Sequence, residues 1–121
     1  MAKILIADDE KDITESLAMI LTAFGHEVST AFDGKKAVEM AKSQKPDIIF
    51  LDLCFPKPSL DGVEILKAIR EFDKDVKVVL TSGLSSEDEK YKEAEAFGVN
   101  KYLSKPITAT KLQQIISELT K

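Results

Sequence analysis

Two hydrophobic periods alternate along this chain. "KILIA" (residues 3–7) is an almost unbroken apolar run and predicts a buried strand. "DITESLAMILTAFG" then changes to a helical period, with Ile13, Leu17, Ile20, Leu21 and Phe24 on one face and Gly25 as the stop. "EVSTAF" (27–32) alternates like a half-buried strand, and "GKKAVEMAKSQ" predicts a short helix. "DIIFLD" (47–52) is a second fully apolar strand, followed by a helix marked by Val63, Leu66 and Ile69. "VKVVLTS" (76–82) is the next strand, and residues 87–97 form a weaker helix that ends before Gly98. "KYLS" (101–104) is a brief last strand, and Leu112, Ile115, Ile116 and Leu119 give the closing helix its stripe.

Five strand–helix units in succession imply a parallel sheet, because parallel neighbours can be joined only by crossovers. Right-handed crossovers put helices on both faces. The near-continuous apolar strands agree, since a sheet covered on both sides is buried on both sides. The predicted fold is therefore a doubly wound α/β sandwich, a (βα)5 arrangement without internal linker or repeat.

Composition narrows the function. The 121 residues suffice for one domain with a proper core. With 17 basic against 21 acidic residues and a net charge of −4, no broad basic face is available for nucleic acid, so direct nucleic-acid binding is not expected. Cys54 is the single cysteine and cannot form an internal disulfide, which suits a reducing cytosol. The apolar start gives way to Asp8 too soon for a signal peptide or a membrane span. The expectation is a cytoplasmic acidic domain with no membrane insertion.

Every strand of a parallel sheet ends at the same edge, where open α/β sheets bind their ligands. Asp8 and Asp9 follow the first predicted strand, Asp52 closes the third, Thr81 and Ser82 close the fourth, and Lys105 follows the fifth. Any one of these residues is explained by a turn or a helix cap. Their convergence is not. Asp8, Asp9 and Asp52 crowd negative charge that Lys105 only partly returns, and the deficit favours a hard cation on oxygen ligands, Mg²⁺ above all. A carboxylate beside Mg²⁺, a hydroxyl and a lysine is equipped to receive a phosphoryl group. Asp52 is the expected nucleophile, with Ser82 and Lys105 on the phosphoryl oxygens.

At these residues the chain resembles the receiver domain of two-component response regulators, chemotaxis-regulator-like and single-domain, over essentially residues 3–120. The motifs are Asp8–Asp9, "IIFLDL" around Asp52, Pro56 with Asp61–Gly62, "LTSG" at 80–83 and "YLSKP" at 102–106. The resemblance implies a flavodoxin-like sheet of strand order 2-1-3-4-5 and a receiver domain over 1–121. It implies that Asp52 accepts a phosphoryl group from a sensor histidine kinase or a histidine phosphotransfer protein. Asp8, Asp9 and Asp52 would hold Mg²⁺ with the backbone carbonyl of Cys54, and Lys105 would contact the phosphoryl group. The Lys105–Pro106 bond is usually cis in the family. Tyr102 would be the aromatic that turns inward when the switch hydroxyl moves.

Adjacent strand residues face opposite ways, so only one of Thr81 and Ser82 reaches the site; the small Gly83 after it favours Ser82. The stretch "LCFPKPSLDG" is longer than the family's usual loop and carries Pro56 and Pro58. Such a domain is a switch and not a turnover enzyme, although it catalyses its own phosphorylation and dephosphorylation. Its output would be a changed surface around the fourth helix, fifth strand and fifth helix, presented to an unknown downstream partner, as a monomer or a phosphorylation-dependent dimer. Two alternatives remain open. One is a Mg²⁺-dependent phosphatase with an aspartyl nucleophile, although Cys54 stands where haloacid dehalogenase-like enzymes place their second aspartate. The other is a degenerate receiver that only binds partners. His26 is expected to be a solvated turn residue, and Cys54 an apolar loop residue and not a reactive thiol.

Overall fold

The computed structural model describes residues 2–53, 61–82, 89–104 and 107–120, without the side chains of residues 82 and 89–91. Five strands and five helices alternate: β1 (Lys3–Ala7), α1 (Lys11–Ala23), β2 (Glu27–Ala31), α2 (Gly34–Gln44), β3 (Ile48–Asp52), α3 (Gly62–Phe72), β4 (Lys77–Ser82), α4 (Glu89–Glu95), β5 (Lys101–Ser104) and α5 (Ala109–Leu119). The strands pair in parallel in the order β2-β1-β3-β4-β5. This is the doubly wound fold that the alternation of periods predicts, with the flavodoxin-like strand order that the family resemblance implies.

Side chains alternate across the sheet and divide the core in two. Leu5, Ile49, Leu51, Val78 and Leu80 point to one side, where Ala37, Leu66, Ile69 and Ala94 of α2, α3 and α4 cover them. Ile4, Ile6, Phe50 and Val79 point to the other and meet Leu17, Leu21, Leu112 and Ile116 of α1 and α5. Each fully buried Leu or Ile contributes about 1.5–3 kcal/mol through removal of apolar surface from water. Among the described residues, no helix is long and apolar enough to cross a membrane.

The face that α1 buries differs from the predicted one. Thr14, Leu17 and Leu21 are buried, whereas Ile13 and Phe24 are 41% and 40% exposed. The helix is turned so that Thr14 faces inward, and its hydroxyl donates to the Glu10 carbonyl at 2.8 Å. A threonine satisfied in this way fits the core, and periodicity alone cannot distinguish it from a polar surface position. α4 ends at Glu95, before the expected residue 97, and the chain turns through Gly98 at φ +93, a left-handed conformation that glycine adopts freely; residues 87 and 88 of the expected helix lie outside the described residues.

His26 is not a solvated turn residue. It is half-buried, and its Nδ1 accepts a hydrogen bond from the Ala2 backbone N–H at 3.0 Å, which ties the start of the chain to the start of β2. Desolvation, and then the positive amino terminus, hold its pKa below the ordinary 6.5. The unfolded chain therefore takes up the proton more readily. The stabilisation is present above the unfolded value and is lost as pH falls through the lower folded one. Urea midpoints should drop between pH 7 and the folded pKa in the wild type. They should drop less in His26→Gln, whose amide oxygen can accept the same N–H without titrating. Equal slopes in the two proteins would refute this role.

Candidate functional site

The carboxyl edge of β1 and β3 is where strand order reverses, because β1 leads outward to β2 while β3 begins the other half of the sheet. Ala7 pairs with Leu51, so the residue after β1 lies level with Asp52 at the end of β3. The Asp8 N–H donates to the Ala31 carbonyl at 3.1 Å, extending the β1–β2 pairing by one residue. The Asp8 carboxylate then turns back to accept from the Glu10 N–H at 2.9 Å, which fixes the turn into α1. Asp8 and Asp52 are each only 3% exposed, and Asp9 is half-buried.

One carboxylate oxygen from each of Asp8, Asp9 and Asp52 lies within 4.8 Å of the others. At an effective dielectric of about 20, each ionised pair at such a distance repels by on the order of 3 kcal/mol. The donors are all carboxylates, with no sulfur or imidazole among them, and such a set suits a hard cation such as Mg²⁺ and not a softer metal. The residues present therefore fit the cation that the sequence implies.

β4 completes the wall. Thr81 is the register partner of Asp52, is 3% exposed, and accepts the Leu53 N–H on its carbonyl at 3.0 Å. Registered neighbours in a parallel sheet face the same way, so Thr81 and Asp52 share a face. Ser82 is the last residue of β4 and pairs with Ser104. Tyr102 pairs with Leu80, is half-buried, and packs against the core on the α2–α3–α4 side. The Ser82 side chain, Cys54, Pro56, Pro58, Gly83, Lys105 and Pro106 lie outside the described residues. The structure thus brings Asp8, Asp9, Asp52 and Thr81 together and sets Tyr102 on the other side of the sheet.

The Asp61–Gly62 pair was legible as a motif but not as a physical device. Asp61 caps α3 by accepting from Glu64 N–H at 2.9 Å, and Glu64 reciprocates by accepting from Asp61 N–H at 3.1 Å. The Gly62 N–H donates to the Leu53 carbonyl at 3.0 Å, so α3 begins hard against the backbone that follows Asp52. A Cβ on Gly62 would stand 2.5 Å from Leu53 Cα and 2.6 Å from the Asp52 oxygen. The glycine is there for contact with the end of β3.

An α/β module with a carboxylate cluster at its topological switch point belongs to the open-sheet α/β domains that bind ligands at this edge. The match to known proteins is narrower. The response regulator receiver domain family matches residues 4–117, and the chain belongs to it. The chain is 37% identical over 122 residues to the chemotaxis protein CheY of Treponema pallidum, covering 98% of this chain and 83% of that protein. It is 41% identical over 110 residues to the transcriptional regulatory protein PrrA of Mycobacterium leprae, covering 91% of this chain but only 46% of that longer protein. The structure of Vibrio cholerae chemotaxis protein CheY4 superposes with a TM-score of 0.90 at 30% identity, covering 98% of both chains. Receiver domains are signalling switches and not turnover enzymes; they generally bind Mg²⁺ at an acidic pocket and are phosphorylated by histidine kinases.

Proposed function

We propose that this chain is a phosphorylation-activated switch with Asp52 as the phosphoacceptor. The observation that carries the reading is the meeting of three carboxylates within 4.8 Å at the switch point, with Asp52 on the central strand. An Asp52 oxygen attacks the phosphorus of the donor. The phosphorus–nitrogen bond of a phosphohistidine, or the phosphorus–oxygen bond of acetyl phosphate, breaks, and the leaving group keeps the electron pair. Asp8, Asp9, Asp52 and the Cys54 carbonyl would hold Mg²⁺. When bound, the cation screens the approach of one anion to another. Lys105 and the switch hydroxyl take the remaining phosphoryl oxygens. The donor is a sensor histidine kinase or a histidine phosphotransfer protein in the cytoplasm, and the output is the α4–β5–α5 surface offered to a partner. Incubation with acetyl phosphate and Mg²⁺ should add one phosphoryl group, labile in base and cleaved by hydroxylamine, as an acyl phosphate is. Chelation of the metal should prevent it, and metal-independent labelling would defeat the reading.

Metal affinity should distinguish the two acids of the first turn. One Asp8 oxygen is committed to the Glu10 N–H. Asp9→Ala is therefore expected to weaken Mg²⁺ binding about tenfold or more, and more than Asp8→Ala does. Without metal, Asp9→Ala should gain about 1 kcal/mol from relieved repulsion, whereas Asp8→Ala also loses the turn hydrogen bond and should not gain. The chain has no tryptophan, so calorimetry suits the titration better than quenching. A larger loss of affinity in Asp8→Ala would reverse the assignment.

Ser82 is favoured as the switch hydroxyl. That reading rests on the small Gly83 that follows Ser82 in the sequence, whereas the register sets Thr81 and not Ser82 on the face of Asp52, so the two hydroxyls are tested against each other. Ser82→Ala should still accept the phosphate mimic beryllofluoride at Asp52 but confine amide shifts to its neighbours, leaving Tyr102 unmoved. If Thr81→Ala produces the confinement instead, the hydroxyl is Thr81.

A further inference from the structure

Helix α4 belongs to the proposed output surface, and among the described residues its carboxyl-terminal end is held by side-chain hydrogen bonds. Its carboxyl-terminal end meets Arg70, from the last turn of α3. Arg70 Nη2 donates to the Gly98 carbonyl at 2.8 Å, and Nε donates to Phe97 and Gly98 at 3.2 and 3.3 Å. Nη1 donates to the carbonyls of Val76 at 2.8 Å and Asp73 at 3.3 Å. One guanidinium thus joins the end of α3, the approach to β4 and the turn that closes α4. A fixed fork of donors is suited to holding several carbonyls at once.

A second clamp adjoins the first. Asn100 N–H donates to the Val78 carbonyl at 2.9 Å, and its side-chain oxygen accepts the Val78 N–H at 2.8 Å. Ala94, in the last turn of α4, is fully buried. In a right-handed crossover this end lies at the amino edge of the sheet, across the domain from Asp52, and the amino-terminal end of α4 lies at the edge that carries the site. Desolvation lowers the Arg70 pKa, opposed by Asp73 and Asp75; the guanidinium stays charged, which suits a helix carboxyl terminus.

We infer that Arg70 and Asn100 make the carboxyl-terminal end of α4 a fixed pivot, so that the helix answers phosphorylation by swinging its amino-terminal end. Arg70 is then a positioning residue that sets the direction of the output movement. The inference rests on the switch reading and adds the geometry of its lever.

Amide shifts and hydrogen exchange of the whole protein, with and without beryllofluoride and Mg²⁺, test it. Shifts at Leu53 and Thr81 report the mimic at Asp52; if they are missing, the switch reading fails, and the exchange comparison still reads the clamp. In the wild type, shifts should be large within Glu89–Lys92 and small at Phe97, Gly98 and Asn100. In Arg70→Met, exchange at Phe97 and Gly98 should accelerate about tenfold or more even without the mimic. Shifts on adding the mimic should then spread to those amides. Arg70→Lys, which keeps the charge and part of the bonding, should fall between. The pivot is overturned if the wild-type shifts at Phe97 and Gly98 match those at Glu89–Lys92, or if Arg70→Met leaves their exchange unchanged. Should Arg70→Met not fold, the wild-type gradient and Arg70→Lys decide.

Discussion

Asp52→Asn should take up no phosphoryl group from acetyl phosphate under conditions that label the wild type fully. The substitution removes the nucleophilic oxygen and keeps the shape. Asp52 ends the central strand and is nearly enclosed, yet its carboxylate stands among Asp8 and Asp9 and not in the apolar core. The asparagine therefore leaves no cavity. It also deletes two of the three repulsive pairs, so the metal-free protein should gain about 1–3 kcal/mol in chemical denaturation, after screening. Mg²⁺ affinity should fall about a hundredfold, since one of three carboxylate ligands becomes neutral. Intact-mass measurement checks the labelling. A variant that gains one phosphoryl group at the wild-type rate would remove Asp52 from its role, and a destabilised variant would show that the repulsion is not there to relieve.

Gly62→Ala should have the largest effect of any substitution outside the carboxylates. The added methyl would meet three backbone atoms: Leu53 Cα at 2.5 Å, and the carbonyl oxygens of Asp52 and Leu53 at 2.6 Å each. Backbone of the central strand cannot step aside as a side-chain tip can, so the start of α3 must withdraw, breaking the bond from Gly62 N–H to Leu53 O. Overpacking and the lost hydrogen bond together cost about 3 kcal/mol. The functional effect should be larger still. A displacement of about 1 Å at the carboxylate that Asp52 presents can slow transfer about a hundredfold. Gly25→Ala is the matched control. No atom lies within 4 Å of its added methyl, and the strain comes only from φ +92, so it should lose about 1 kcal/mol and transfer at the wild-type rate. Equal behaviour of the two alanine variants would show that contact at Gly62 is unimportant.

Both experiments concern residues that the sequence marked, but it marked them for different reasons and to different depths. The order and type of the elements are legible because they depend on local periods: "KILIA" and "DIIFLD" are apolar throughout, as only strands covered on both faces are. Parallel topology then forces Asp8, Asp9 and Asp52 to one edge, so the existence of an acidic site follows from sequence alone. The 4.8 Å cluster does not follow, because it depends on the register of β1 against β3, set by pairs such as Ala7 and Leu51.

The same limit explains the differences. Ile13 and Thr14 both lie at helical spacing from Leu17 and Leu21, and only the docked sheet selects Thr14, whose hydroxyl finds the Glu10 carbonyl. His26 looked like a turn residue until folding brought Ala2 beside it. Arg70 reads as one more polar residue on a helix end; its acceptors at Phe97 and Gly98 are remote in sequence and reach it only when α3 and α4 pack. Sequence by itself determined which segments are strands and helices and which strand ends carry charge, since those properties belong to neighbours along the chain. Tertiary structure alone decided which face α1 turns inward, why residue 62 must lack a side chain and what holds the end of α4. Each of those depends on short-range contact between segments that meet only in the folded domain.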